Sequence, residues 1–256
     1  MKLGNKYPSL LGKTVFITGG GTSIGACFVE AFLQQGAKVA FVDILEQESQ
    51  LLVEQLSEQY PQAQVKYYHC DLLNIKALQA VIEQAGNELG AISVLINNAA
   101  CDQRHKIEDV TPDFWDHCLD TNLKHYFFAS QAVRLQMQKI GGGSIINLGS
   151  MSWHNNQGGM AGYTAAKAGV MGLTRGLAAD LGKDKIRINT LTPGWVMTKR
   201  QLTHWVDQNT AKYIEDNQCI KDYVMPEDIA AMALFLASDD SKLCTSQNFI
   251  VDGGWI

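Results

Sequence analysis

Apolar residues recur in two alternating patterns along this chain, and the patterns predict strands and helices in regular alternation. Short runs rich in Val, Ile and Phe are typical of strands covered on both faces, because they are apolar almost throughout. The predicted strands are 14–18, 38–43, 64–70, 92–97, 144–148, 186–191 and 248–252. Segments with apolar residues three and four positions apart predict helices. The predicted helices are 24–35, 46–59, 75–88, 112–139, 161–181 and 226–237.

This alternation predicts an α/β protein with the doubly wound Rossmann fold, in which helices flank a seven-stranded parallel sheet. No repeat, low-complexity tract or linker divides the sequence, so 1–256 is expected to form a single domain. The least regular segment is 199–224, which is polar and aromatic (Trp205, Tyr213 and Tyr223). It could be a substrate lid or a packed surface excursion, and long connections in such folds favour the lid.

Composition and charge exclude several classes of protein. The 256 residues carry a net charge of −5 and a pI of about 5.7, which argues against nucleic acid or an anionic membrane as a partner. No stretch approaches the roughly 18 apolar residues of a membrane span, and 1–13 lacks the apolar core of a secretion signal. The six cysteines are scattered without metal-ligand spacing, so we expect a cytoplasmic protein with reduced thiols and no metal site.

A glycine-rich turn follows the first predicted strand and opens the first predicted helix. Glycines let the backbone approach a pyrophosphate closely, and a helix N-terminus stabilises its negative charge. Asp43 ends the second strand, where a carboxylate accepts hydrogen bonds from ribose hydroxyls and repels a 2′-phosphate. Because no Lys or Arg lies in the turn or just after Asp43, NAD is predicted in preference to NADP. The predicted cofactor contacts in this region are Gly19, Thr22, Ser23, Ile24, Gly25 and Asp43.

Three later loops follow strands and would meet the same crevice at the carboxyl ends of the sheet. Asp71 could accept a hydrogen bond from the adenine amine, with Leu72 beside the ring. The amide pair that ends in Asn98 could tie strand ends together and meet the ribose, while Val196 and Thr198 could hold the nicotinamide amide. Each residue could instead be an ordinary loop residue that caps a strand or helix. Their shared position after strands favours the cofactor.

Tyr163 and Lys167 lie four positions apart in the predicted helix 161–181, so they share one helix face. A neighbouring cation favours phenolate and would lower the pKa of Tyr163 from about 10 toward neutrality, where it can take a proton from an alcohol. Ser150 follows the strand 144–148, so its hydroxyl should emerge where that strand ends. Tyr and Lys at this spacing also occur on ordinary helices, and the surrounding motifs are what favour a catalytic pair.

Further motifs occur in a fixed order along the chain: Thr18-Gly19, Gly25, Asp43, Asp71, Asn97-Asn98-Ala99, Asn122, Ser150, Tyr163-x-x-x-Lys167 and Pro193-Gly194. The series resembles the short-chain dehydrogenase/reductase family over nearly the whole chain. The resemblance implies a catalytic tetrad. In it, Asn122 helps to hold a water that connects Lys167 to solvent, and Ser150 hydrogen-bonds the reacting oxygen. Tyr163 exchanges the proton, while Lys167 binds the nicotinamide ribose and lowers the pKa of Tyr163.

The same resemblance implies a homotetramer built through the helices 112–139 and 161–181. Burial within the monomer is the other explanation for the apolar residues of these helices.

Two positions depart from the family pattern. Ser23 replaces the middle glycine of the turn Thr-Gly-x-x-x-Gly-x-Gly, where it could crowd the pyrophosphate or cap the helix and bond a phosphate. The cap is favoured because Ser is a preferred N-cap residue, and Ser23→Gly is then expected to bring no gain in NAD affinity. Ala100 replaces a glycine after Asn-Asn-Ala, a small change that should not prevent cofactor binding.

Finer motifs also stand in the sequence: Tyr7-Pro8-Ser9-Leu10, Asp102-Gln103-Arg104-His105-Lys106, Ser152-Trp153-His154, Thr198-Lys199-Arg200-Gln201 and Asp252-Gly253-Gly254-Trp255. They resemble the bacterial aldose 1-dehydrogenases of this family, which act on sugars such as D-xylose, L-arabinose, D-galactose or L-fucose. Independently, the residues expected at the open end of the site are polar, as a polyhydroxylated substrate requires. The predicted substrate contacts are Arg104, Ser150, His154, Tyr163, Trp195 and Arg200. Trp195 could equally be a core residue, and His154 a solvated loop residue.

The sequence therefore predicts an NAD-dependent oxidoreductase that oxidises the C1 hydroxyl of a cyclic aldose to the aldonolactone. One alternative is a dehydrogenase or reductase of the same family that acts on another secondary alcohol or ketone. A non-catalytic NAD-sensing protein is a remote alternative, because all four tetrad residues are present.

Overall fold

The computed structural model describes residues 4–204 and 206–256. Residues 1–3 and Trp205 lie outside the described residues, so the structure adds nothing to the expectations that involve them.

A parallel sheet runs through the centre of the described chain, as the sequence predicts. Its strands are β1 (Thr14–Thr18), β2 (Lys38–Asp43), β3 (Val65–His69), β4 (Ile92–Asn97), β5 (Gly143–Leu148), β6 (Ile186–Pro193) and β7 (Asn248–Val251). They pair in the order β3-β2-β1-β4-β5-β6-β7, and every pairing is parallel. The order reverses between β1 and β4, which is where a doubly wound sheet opens a crevice at its carboxyl ends.

Helices cover both faces of this sheet. In chain order they are α1 (Ser23–Gln34), α2 (Glu46–Gln59), α3 (Ile75–Leu89), α4 (Pro112–Leu119), α5 (His125–Lys139), α6 (Ala161–Leu181), α7 (Lys199–His204), α8 (Gln208–Asn217) and α9 (Pro226–Ala237). On one face, Phe28 and Phe32 of α1 pack with Ile229 and Leu234 of α9 in a fully apolar cluster. The other face buries α3, α5 and α6 against the sheet. Burial on both faces explains why β1 and β4 are buried at every position.

The helix predicted over 112–139 is interrupted, and this is the main departure from the predicted elements. A π-helical turn spans Asp120–Lys124 between α4 and α5, and it contains Asn122. Hydrophobic spacing does not reveal one inserted residue within a long helix, so the sequence pattern gave no sign of the turn. Such π insertions are frequent at functional sites.

The segment 199–224 contains two helices, α7 and α8, rather than irregular coil. Its ends meet, because Val196 forms an isolated parallel bridge with Val224 and the Met197 N–H donates to the Val224 carbonyl at 2.9 Å. The segment is therefore an excursion that leaves and re-enters the fold at one place, next to the end of β6.

Within the described ranges, no helix has the length and hydropathy needed to traverse a bilayer. Over the same residues, no group of three or more His, Cys, Asp or Glu side chains is arranged to hold a metal ion.

Candidate active site

The glycine-rich turn after β1 is packed so closely that side chains do not fit in it. A Cβ on Gly25 would lie 1.8 Å from the Gly19 carbonyl oxygen, and one on Gly19 would lie 2.8 Å from the Ala99 Cα. Gly19 also has φ +66, a conformation that glycine adopts without strain. The Asn98 side-chain amide donates to the carbonyls of Thr18 (3.0 Å) and Gly19 (2.8 Å). Asn98 thus ties the ends of β1 and β4 together, as predicted.

The prediction that Ser23 caps α1 is wrong. Thr22 occupies the N-cap position with extended backbone, and Ser23 is already the first helical residue. Ser23 has φ +53, a left-handed conformation that is rare for residues other than Gly, Asn and Asp. The Thr22 side chain makes no capping hydrogen bond, and the first turn of α1 holds no acidic residue. Neither a capping side chain nor an acidic residue of the first turn neutralises this helix N-terminus, which suits it to stabilise an anion.

Asp43 lies against the same turn. One carboxylate oxygen accepts from the Gly21 N–H at 2.9 Å, and the other accepts from the Leu45 N–H at 3.0 Å. Both bonds fix the carboxylate at the end of β2, beside the glycines. Asp71, by contrast, is exposed and accepts from the Leu73 N–H at 3.0 Å, while Leu72 packs against the core.

These features fit a bound dinucleotide. A pyrophosphate can approach the backbone of this turn closely because Gly19 to Gly21 carry no side chains, and α1 presents its N-terminus there. Asp43 stands where a ribose would reach it, and Ile24 and Thr198 line the adjoining cavity. Of the predicted cofactor residues, Ile24, Val196 and Thr198 line this cavity, Asp43 and the glycines lie in the neighbouring turn, and Asp71 and Leu72 are not among the lining residues.

A cavity of about 170 Å³ opens at this crevice, and Ser150 and Tyr163 both line it. Ser150 follows β5, where its hydroxyl donates to the Ser152 hydroxyl at 3.0 Å and accepts from the Ser152 N–H at 3.2 Å. Lys167 lies one turn further along α6, with 1 % of its surface exposed and its Nζ 5.7 Å from the Tyr163 ring centroid. The predicted serine, tyrosine and lysine are thus brought together.

The protonation of this pair differs from the expectation. Burial raises the pKa of Tyr163 to about 12, a rise that Asp102 and Cys101 support and that hydrogen bonding to Ser150 and the charge of Arg104 oppose. Burial also lowers the pKa of Lys167 to about 7. The prediction that a charged Lys167 lowers the pKa of Tyr163 is therefore wrong for this structure. The burial that raises the pKa of the phenol also disfavours the charged form of the lysine.

Asn122 is buried in the π-helical turn and fixes the loop after β4. Its amide nitrogen donates to the carbonyls of Cys118 (2.9 Å) and Cys101 (3.1 Å), and its amide oxygen accepts from the Cys101 N–H at 2.8 Å. Its side chain is thus committed to the backbone. The part that the resemblance assigns to Asn122 in holding a water stays a prediction.

The cavity wall is rich in polar side chains. Those that line it are Asp102, Arg104, Ser150, Ser152, Asn155, Gln157, Tyr163, Thr198 and Gln201. Apolar surface comes from Ile24, Met151, Met160, Trp195 and Val196. The open end of the site is therefore polar, with one aromatic ring available for stacking.

The predicted substrate contacts have different outcomes. Arg104 and Trp195 line the cavity, but Arg200 does not, since its guanidinium pairs with the Asp102 carboxylate at 2.8 Å. His154 is exposed and stacks on Trp153 with ring centroids 3.6 Å apart, away from the cavity lining. The local polarity that identified this loop could not show which of its side chains turns inward.

Asp102 and Gln201 also line the cavity, although the sequence analysis named them only within longer motifs and not as substrate contacts. Gln201 accepts a hydrogen bond from the Trp195 indole N–H at 3.0 Å, and the Trp195 ring stacks on Trp255 near the C-terminus. Tyr213 of α8 contacts Trp255 edge-on, with centroids 5.4 Å apart. The segment 199–224 is thereby joined to the cavity wall at both of its helices.

Comparison with known proteins agrees with this arrangement. A family model described as Enoyl-(Acyl carrier protein) reductase matches residues 19–256. The D-xylose 1-dehydrogenase of Caulobacter vibrioides is 46% identical over 249 residues, which cover 97% of this chain and 98% of that protein. A Rhizobium meliloti protein named Probable galactose dehydrogenase GalD is 43% identical, over 98% of this chain and 97% of its own length.

A solved structure of 7 alpha-hydroxysteroid dehydrogenase, complexed with NADH and 7-oxo glycochenodeoxycholic acid, superposes with a TM-score of 0.91 at 30% identity. The match covers 98% of this chain and 96% of that one. The chain belongs to the short-chain dehydrogenase/reductase family of oxidoreductases, which confirms the resemblance drawn from its motifs.

Proposed function

We propose that this protein oxidises the C1 hydroxyl of a cyclic aldose to the aldonolactone, with NAD as the hydride acceptor. The observation that carries the proposal is the position of Tyr163 and Ser150 in a polar-walled cavity beside the dinucleotide crevice. The sugar dehydrogenases named above, which align over nearly their whole length, support the substrate class.

The polarity of the cavity favours a sugar over a purely apolar substrate. Each hydroxyl of a pyranose must find a partner on leaving water, because an unpaired buried polar group costs about 1–3 kcal/mol. The cavity lining offers hydrogen-bond donors and acceptors as well as one positive and one negative side chain. These come from Asn155, Gln157, Arg104 and Asp102. Trp195 supplies the flat apolar surface on which the C–H face of a sugar ring can pack.

In this proposal Tyr163 takes the proton of the C1 hydroxyl while the Ser150 hydroxyl donates to the same oxygen. Burial disfavours phenolate and ammonium separately, so the reactive phenolate forms together with the Lys167 ammonium as one coupled pair. Asn122 keeps the loop after β4 in place behind this pair. A bound nicotinamide supplies the site that accepts the hydride from C1.

NAD rather than NADP is proposed because Asp43 holds its carboxylate beside the glycine-rich turn. We expect Asp43→Ala to lower kcat/KM with NAD and to reduce the preference for NAD over NADP by about tenfold or more, since a 2′-phosphate no longer meets a negative charge. Paired kinetics with both cofactors measure this. Asp71→Ala is the matched control and should leave the ratio nearly unchanged. An unaltered NAD/NADP ratio in Asp43→Ala would exclude Asp43 as the discriminating residue.

The direct test of the substrate class is a panel of pentoses, hexoses and deoxysugars, assayed for NADH formation beside cyclic secondary alcohols and hydroxysteroids. We expect aldoses to give the highest kcat/KM and the lactone to be the first product. A preference for a hydroxysteroid would instead show that the protein is a dehydrogenase of another secondary alcohol or ketone, which is the alternative function. That alternative has the 7 alpha-hydroxysteroid dehydrogenase structure as its support.

The remaining expectations are proposals of the same kind. Residues 1–256 form one catalytic domain, and 199–224 closes over substrate as a lid whose ends are joined at the bridge between Val196 and Val224. None of the six cysteines forms a disulfide among the described residues, which suits a reducing cytoplasm. Homotetramer formation through the helices of 112–139 and 161–181 is supported, on the first of these segments, by the exposed apolar side chains Phe127 and Leu135 of α5.

A further inference from the structure

Tyr126 is a fully buried tyrosine of α5 whose hydroxyl lies beside the catalytic helix. The Lys167 ammonium donates to the Tyr126 hydroxyl at 2.9 Å and to the Leu148 carbonyl at 2.9 Å. The Tyr126 hydroxyl itself donates to the same Leu148 carbonyl at 3.1 Å. The three groups form a closed triangle at the end of β5, directly behind the cavity.

The direction of these hydrogen bonds follows from chemistry. An ammonium has donors only, so a charged Lys167 must use the Tyr126 hydroxyl as an acceptor. The Tyr126 hydroxyl then donates its single proton to the Leu148 carbonyl. Removing the Tyr126 oxygen would leave the charged lysine with the Leu148 carbonyl as its remaining partner in this triangle, and a buried charge that loses a hydrogen bond becomes less stable.

The position of Tyr126 is fixed independently of Lys167. Its backbone carbonyl accepts from the Ser130 hydroxyl at 2.7 Å and from the Asn97 amide at 3.4 Å. Its ring packs edge-on against the His125 ring, with centroids 4.5 Å apart. Tyr126 is thus held by contacts with α5, with β4 and with the His125 ring. Its hydroxyl is therefore already in position to accept a hydrogen bond from Lys167.

The other titratable groups around Lys167 do not provide this partner. Burial, aided by the charge of Lys167, lowers the pKa of His125 to about 3, so that imidazole is neutral at working pH. Tyr163 presents its ring to Lys167 at 5.7 Å rather than a hydrogen bond. Burial and then the charge of Tyr163 raise the pKa of Tyr126 itself well above its ordinary value, so Tyr126 stays a neutral phenol.

We propose that Tyr126 is a positioning residue that stabilises the charged form of Lys167 and so favours the phenolate of Tyr163. The proposal rests on the proposed function only in the part that Lys167 and Tyr163 play in the reaction. Its physical content, that one phenol hydroxyl stabilises one buried ammonium, is testable without substrate.

The first test is an NMR titration of the full-length protein labelled with ¹³C at lysine Cε, with Lys167→Met used to assign the Lys167 signal. We expect Lys167 to titrate near 7 in the wild-type protein and about one pH unit lower in Tyr126→Phe, since a hydrogen bond to a charge is lost. The control is Tyr60→Phe, which removes a hydroxyl that donates to Glu30 in another part of the protein. This variant should leave the Lys167 signal unchanged. Phe keeps the ring that fills the core, and a thermal melt checks folding.

An unchanged Lys167 titration in Tyr126→Phe would overturn the proposal, whatever the substrate. A wild-type Lys167 that stays uncharged throughout the pH range in which the protein is folded would overturn it too, because the hydroxyl would then have no charge to stabilise, and this second readout does not require the variant to fold. Because neither measurement uses a sugar or NAD, failure of the aldose assignment would not affect them.

The second test is the pH profile of turnover with the best substrate of the panel. We expect Tyr126→Phe to lower kcat about tenfold near pH 7, because a less charged Lys167 favours the Tyr163 phenolate less. The kcat of the variant should recover as pH rises, because the solution then removes the Tyr163 proton without help from Lys167. KM should change little. A uniform loss at every pH, or a loss confined to KM, would instead assign Tyr126 a purely structural part.

Discussion

Replacing Tyr163 with Phe is expected to lower kcat for sugar oxidation by roughly 10²- to 10⁴-fold while the protein still binds NAD. In the proposed mechanism the phenolate oxygen of Tyr163 accepts the C1 proton, and Phe lacks this oxygen but keeps the ring in the cavity wall. Cofactor affinity should persist because the glycine-rich turn and Asp43 are untouched. Steady-state kinetics and a fluorescence titration with NADH measure the two quantities separately.

The matched control is Tyr68→Phe, which removes a phenol hydroxyl bonded to Glu88 on the surface. It should retain wild-type turnover. Near-wild-type kcat in Tyr163→Phe would remove Tyr163 from the mechanism, and loss of NADH binding would show that the Tyr163 hydroxyl itself supports the cofactor.

A second large effect is expected from Gly25→Ala. The new Cβ would stand 1.8 Å from the Gly19 carbonyl oxygen and 2.9 Å from the Asn98 amide nitrogen, so the turn must move. Overpacking of this kind costs about 1–3 kcal/mol, and the displaced turn loses its fit to a pyrophosphate. We expect a lower melting temperature and NAD affinity reduced by about tenfold or more.

Gly176→Ala is the control, because nothing lies within 4 Å of a Cβ placed on that glycine of α6. It should be neutral or stabilising by up to about 1 kcal/mol, since Ala favours a helix over Gly. Wild-type NAD affinity in Gly25→Ala would mean that the turn is not the pyrophosphate site. Calorimetry and NADH titration of both variants decide the question.

The fold was predictable because its signals are local. Buried strands such as β1 and β4 are apolar throughout, and α2, α6 and α9 begin and end at the predicted residues. The π-helical turn at Asp120–Lys124 escaped prediction because it changes the helix by a single residue without disturbing the apolar spacing. α7 and α8 escaped because they are short and mostly exposed, so few apolar residues mark them in the sequence.

The site was predictable where a residue follows a strand or shares a helix face. Asp43, Ser150 and Tyr163 fall where strand ends and helix geometry place them. Contacts between distant segments were not visible in the sequence. The pairing of Arg200 with Asp102 is an example, since it joins two residues that lie far apart in the chain.

The protonation of Tyr163 shows the limit of reasoning from spacing alone. The four-residue interval places Lys167 beside Tyr163, but it does not reveal how deeply the ammonium is buried. Lys167 has 1 % of its surface exposed, and this burial destabilises its own charge. The lysine therefore does not simply lower the pKa of Tyr163, because the protonation states of the two residues depend on each other. The hydroxyl of Tyr126, from a different helix, then becomes part of that equilibrium.

The central claim is that a hydride leaves C1 of an aldose at the cavity lined by Ser150 and Tyr163. Its most direct measurement uses D-xylose and D-galactose carrying deuterium at C1, incubated with NAD and followed by mass spectrometry of both products. We predict deuterium in the reduced cofactor and a lactone free of the label. Reduced cofactor without deuterium, or no reaction with any C1-labelled aldose while another alcohol is oxidised, would contradict the account.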